Sequence, residues 1–136
     1  MTSMQTKGKI KYKEGFQFYL ADDFSMPIEG LPDVSILETY KISISNGVLK
    51  ISRGYMWDGL WKNKKMIRGF LVHEVLLRLI RLGYLDYSWR IKANTILCEL
   101  LVEDRVFKPV AWLIQRFFDL FGSVSSNGGR KVQTAP

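Results

Sequence analysis

The chain has 136 residues, 47% of them hydrophobic and 24% charged, with one Cys, one His and a net charge of +7. That composition excludes collagen-like, low-complexity and disulfide-scaffold classes. A lone Cys98 and a lone His73 also exclude a Cys-built zinc site and any chemistry that needs two imidazoles. No window offers the roughly 20 apolar residues that a transmembrane helix needs, because Glu74, Arg78 and Arg81 interrupt the richest stretch.

The first residues lack an apolar core, which predicts no signal peptide. The length predicts one domain over residues 1–122, with residues 1–15 as a basic strand or arm and 123–136 as a flexible basic tail. Charge is uneven along the chain. Lys7, Lys9, Lys11 and Lys13 precede the first acid, and residues 14–47 then hold Glu14, Asp22, Asp23, Glu29, Asp33 and Glu38 against Lys41 alone.

Period-2 alternation puts Lys7, Lys9, Lys11 and Lys13 on one face of a strand. Such a strand is either a solvated sheet edge protected by charge or a basic arm for phosphates or an acidic partner. Residues 16–21 suit a strand by aromatic content. Asp22 to Asp33, with Pro27, Gly30 and Pro32, reads as a loop. Val34–Ser45 reads as one strand, followed by Asn46-Gly47 and a second strand over Val48–Arg53. Asn-Gly between alternating runs predicts a two-residue type I′ hairpin, because both turn residues need positive φ.

Gly54–Lys65 reads as irregular, aromatic and basic. Trp57 and Trp61, with Lys62, Lys64, Lys65 and Arg68, suit a protruding loop that anchors a partner or stacks on bases. The plainer alternative is a turn at Asp58-Gly59. Three helices are then predicted: about 66–82, ended by Gly83; about 88–103; and about 109–121, with Pro109 in its first turn and Gly122 at its end. The fold class is therefore α+β, an N-terminal antiparallel β region with an Asn-Gly hairpin followed by three packed helices.

Helical spacing puts His73 on a stripe with Leu76, Leu77 and Ile80, and Asn94 on a stripe with Arg90, Ala93, Leu97 and Leu101. A buried His73–Asn94 hydrogen bond is expected. Helices one and three are apolar nearly all round, so part of their surface either meets another subunit or closes over the hairpin. Trp112, Phe117, Phe118 and Phe121 are the residues expected at a subunit contact. Cys98 is expected to be an inert packed thiol.

An ordered set of motifs, Tyr55-Met56-Trp57-Asp58-Gly59, Arg68-Gly69, Leu71-Val72-His73-Glu74, Arg90, Ala93-Asn94 and Leu120-Phe121-Gly122, resembles a family of small tailed-phage and prophage proteins, domain of unknown function 1353. The resemblance runs from about Phe16 to Gly122. It implies a bacteriophage product encoded among structural, tail or lysis genes, located in the virion and in the host cytoplasm during assembly. The implied function is a minor structural or assembly protein of the tail, neck or capsid. Such a protein acts by binding other phage structural proteins within an oligomeric assembly and needs no cofactor.

The family's His-Asp and Asp pattern on successive helices is in turn similar to the layout of phospholipase A2. That similarity implies an alternative, a degenerate or active hydrolase for entry or lysis. In it His73 would be the base, Glu74 a Ca2+ ligand and Asn94 the residue orienting the imidazole. This chain departs from the family at all three polar positions: Glu74 stands for Asp, Leu77 for Tyr and Asn94 for Asp. An amide cannot supply the orienting charge, whose loss costs about 10⁴-fold in the serine-protease case. A second alternative is a nucleic-acid-binding accessory protein using Lys7–Lys13 and the Trp/Lys loop. The structural reading is preferred to both.

Overall fold

The structure, a computed structural model, describes residues 11–13, 17–58 and 63–133, with side chains from 18–57 and 63–121. Antiparallel strands in two sheets occupy the N-terminal part and three helices follow, an α+β architecture. Backbone contacts divide the chain into two units, Met1–Lys62 and Asn63–Pro136. No helix among the described residues is long and apolar enough to cross a membrane.

Among the described residues the first unit holds seven strands: β1 (Lys11–Lys13), β2 (Gln17–Tyr19), β3 (Phe24–Pro27), β4 (Val34–Leu37), β5 (Ile42–Ser45), β6 (Val48–Ile51) and β7 (Met56–Asp58). One sheet has the order β1-β2-β7 and the other β3-β6-β5-β4. The Asn-Gly hairpin forms as the sequence predicts. Ser45 pairs with Val48 across a two-residue turn, and Asn46 and Gly47 take φ of 53° and 77°. Asp33 Oδ1 accepts from the Asn46 N–H at 3.0 Å, which anchors the turn from outside. The register sets Ile42 opposite Ile51 and Ile44 opposite Leu49. All four are buried, so one face of the hairpin is core and the other carries Ser43 and Lys50.

Three strand expectations are corrected. The proline loop contains β3, which pairs only with β6. An edge strand tolerates Pro27, because its missing N–H is asked for only on the paired side. Val34–Ser45 is two strands, not one. The chain turns at residues 38–41, where Lys41 takes φ 61° and its N–H donates to the Leu37 carbonyl. Lys in a left-handed conformation gives no turn signal of the Gly or Asn kind. The segment read as irregular contains β7, whose Trp57 lies opposite Phe18 of β2.

The second unit opens with a 3₁₀ turn over Lys64–Met66, capped by Asn63 Oδ1 accepting from the Lys65 N–H. The helices are α1 (Ile67–Arg81), α2 (Trp89–Glu103) and α3 (Lys108–Gln133). α1 ends in a Schellman motif. Gly83 N–H donates to the Ile80 carbonyl and Tyr84 N–H to that of Leu79, with Gly83 at φ 90°. α2 ends the same way, with Arg105 at φ 77° in the place of glycine. The backbone of α3 continues through Gly122, where a helix end was expected, to Gln133. Extending a formed helix adds a hydrogen bond for each residue ordered, so a single Gly need not stop it. The core here joins Phe70, Leu97, Leu101, Val106 and Ala111, with Cys98, Ile114 and Phe118 packed against it.

Candidate functional site

Gly69 is where α1 and α2 come close. A Cβ there would sit 3.2 Å from Leu97 Cδ1 and 3.3 Å from Leu101 Cδ2. One turn further along α1, His73 faces α2, and the expected bond forms: His73 Nε2 lies 2.8 Å from Asn94 Oδ1. Both residues are buried. The chain of bonds then continues where no expectation was made. Asn94 Nδ2 donates to Asp119 Oδ1 of α3 at 2.9 Å. Arg116 Nη1 lies 3.6 Å from the other Asp119 oxygen. Arg90 Nη1 points at the carbonyls of Phe118 and Asp119 at 3.5 and 3.4 Å. The three helices thus meet at one polar chain, His73–Asn94–Asp119, buried at His73 and Asn94 and part-buried at Asp119.

With Asp119 as a carboxylate, the bonding orders the donors and acceptors. A carboxylate only accepts, so Asn94 must present its NH2 to Asp119 and its oxygen to His73. His73 therefore donates from Nε2, and Nδ1 holds the lone pair. Burial pushes the imidazole below its ordinary range, against a weaker opposing effect of the Asn94 bond. The Phe118 ring lies over it, centroids 4.6 Å apart, and the Phe70 ring stands edge-on at 6.4 Å. His73 is thus a neutral core histidine bonded through Nε2, with an aromatic cover.

The carboxylate next to His73 is already engaged. Glu74 points to Arg78 at 3.0 Å in an i,i+4 ion pair. Among the described residues no three His, Cys, Asp or Glu lie together as metal ligands. A hard cation needs six to eight oxygens and a charged ligand; a single carboxylate already matched by Arg does not fit one.

Two residues of the expected aromatic-basic loop sit elsewhere. Trp57 is core, only 4% exposed, edge-on to Phe18 at 5.4 Å and stacked with Tyr55 at 6.2 Å. Strand pairing turns it inward, so it cannot anchor a partner from a loop. Arg68 is buried too. Its Nε and Nη2 each reach Asp104 at 3.1 Å, and Nη2 also bonds Glu103. It is a clamp from the start of α1 to the end of α2. Lys64 and Lys65 are exposed, whereas Trp61, Lys7 and Lys9 lie outside the described residues and Lys11 and Lys13 are described only as backbone of β1. Cys98 is half-buried, and burial followed by the Glu99 charge raises its thiol, so it stays protonated.

The expected contact residues of α3 divide. Phe118 turns inward onto His73, while Trp112, Phe117 and Phe121 are exposed. Sequence spacing underestimates this outer face. It also holds Val110, Leu113 and Leu120, the last 60% exposed, and Phe107 is exposed just before the helix. Lys108 and Arg116 are exposed on the same helix, and Arg116 lies 5.8 Å from the Trp112 ring. The only carboxylate between Lys108 and Phe121 is Asp119, turned inward to Asn94. Asp119 could have been suspected from sequence as the one acid inside an aromatic run.

Compared with protein-family models, curated proteins and solved structures, the chain matches none.

Proposed function

We propose that this chain is a minor structural or assembly protein of a tailed-phage particle, acting by protein–protein binding through the outer face of α3. One observation carries the reading. Val110, Leu113, Phe117 and Phe121 recur at i, i+3, i+7 and i+11 and all are exposed. That spacing is how a helix lays an apolar face into a groove. Large exposed apolar patches on a folded chain mark interaction surfaces, and the aromatic content suits an interface centre.

Charge narrows the partner. The exposed face is flanked by Lys108 and by Arg116, the latter 3.6 Å from Asp119, the one carboxylate of the segment. The complement is an apolar groove with an acidic rim on another protein. A second copy would bring the same cations together. The phage context comes from the motif resemblance. The hydrolase alternative has less support, since His73 is covered by Phe118 and oriented by an amide.

The test is quantitative mass spectrometry of gradient-purified particles from the phage or prophage carrying the gene, against the lysate. A fixed integer ratio to the major capsid or tube protein is expected, reduced in Phe117→Glu. Abundance in the lysate with absence from particles would refute the reading.

A further inference from the structure

We propose that the His73–Asn94–Asp119 chain is an acid-sensitive latch: protonation of His73 at Nδ1 loosens α3 from α1 and α2. The proposal concerns what holds the inner face of α3 and is independent of what binds its outer face.

The second proton has one place to go. Asp119 fixes the Asn94 amide, and the amide fixes the proton on Nε2, so an added proton falls on Nδ1. The cation so formed lies against the Phe70 and Phe118 rings, in a residue only 3% exposed. A buried charge needs a matched partner. The surrounding charges do not offer one. On α3, Asp119 is reached only through the amide and already faces Arg116. On α2, Arg90 brings a second guanidinium against the Phe118 and Asp119 carbonyls, and its buried Nε has no acceptor among the described residues. Cys98 on the same helix stays a neutral thiol. On α1, Glu74 is paired with Arg78. A charged His73 would add a third cation around one carboxylate.

The mechanical link is direct. Phe118, which covers His73, and Asp119, which ends the chain, are successive residues of α3. Among the described residues, the other polar contacts that α3 makes with α2 are the long Arg90 contacts and a 3.3 Å bond from Gln115 to Thr95. Lifting α3 removes the Phe118 cover and exposes the imidazole to water. Linkage gives the sign. The held state binds the proton less tightly than the released one, so acid favours release. The release constant should rise by up to about tenfold per pH unit below the ordinary histidine value of about 6.5.

The experiment is amide hydrogen exchange on the full chain from pH 7.5 to pH 5, corrected for intrinsic rates. Above pH 5 ordinary carboxylates stay ionised. Amides of residues 108–121 should lose protection well before those of α1 and α2, and His73→Gln, which keeps a donor but cannot titrate there, should abolish the change. Loss of protection by all three helices together would mean acid unfolding and would overturn the latch. So would constant protection of α3, or an unchanged step in His73→Gln. Should that variant not fold, the order of loss in the native chain still decides.

Discussion

Asn94 Nδ2 donates to Asp119 Oδ1 at 2.9 Å, and this one bond determines how the amide faces His73. It also explains why Asn rather than Asp suits this position. An amide can donate to one neighbour and accept from another, whereas an ionised carboxylate only accepts. Asn94→Asp would set two carboxylates at hydrogen-bond distance in a part-buried site. It should destabilise the fold by about 1–3 kcal/mol, the cost of unmatched buried polar groups, and should create no calcium-dependent lipid hydrolysis. Adding Asp119→Asn restores a donor–acceptor pair and should recover most of the loss. Denaturant melts of the two single variants and the double variant measure the coupling. Additive losses would show that the pair does not interact.

Arg68 carries a second buried polar duty. Its guanidinium makes a two-pronged contact with Asp104 and also bonds Glu103. These acids lie at the end of α2, where the helix dipole disfavours negative charge, so the arginine offsets a local penalty as well as joining two helices. Arg68→Met keeps the stem but strands a carboxylate that is only 12% exposed. Breaking a buried pair this way costs about 3 kcal/mol. Arg68→Lys should recover only part, because an ammonium cannot supply the fork. Thermal unfolding of both variants checks the order.

Much of the architecture is legible in the sequence, and the failures have a common cause. The Asn-Gly turn and the Gly83 helix end are written in residues with a local conformational meaning, and both appear. The His73–Asn94 bond follows from helical stripes and also appears. What stays hidden depends on long-range pairing. β7 and the burial of Trp57 require β2 as a partner. Asp119 requires α3 to return over α1 and α2 before its single charge makes sense. The turns at Lys41 and Arg105 are hidden differently, since residues that dislike positive φ occupy them. There the surrounding structure overrides local preference.

Arg105 turns that last point into a prediction. It sits at φ 77° as the residue after the α2 cap. Its N–H donates to Val102 and the Val106 N–H to Leu101. Left-handed backbone costs an ordinary residue about 1–2 kcal/mol, partly offset in glycine by its larger unfolded-state entropy. Arg105 is exposed and makes no ion pair that would be lost among the contacts described. Arg105→Gly should therefore stabilise the chain by about 0.5–1 kcal/mol. A lowered melting temperature would show that the side chain has a role beyond the cap.

Trp57 and Phe117 are both large aromatics, and their surroundings predict opposite phenotypes. Trp57 is packed edge-on to Phe18 and stacked on Tyr55, out of solvent. Trp57→Ala leaves a cavity in this packing and should cost about 3–5 kcal/mol. Phe117 is 54% exposed, touching only Phe118 and Phe121 among the rings described. Phe117→Ala should change stability by no more than about 0.5 kcal/mol, while removing an anchor from the outer face of α3. The comparison separates fold from function in one pair of variants. Wild-type stability with lost particle incorporation in Phe117→Ala supports docking through α3. A large loss of stability in that variant would mean that α3 buries its outer face within the chain itself, and the docking surface would have to be sought elsewhere.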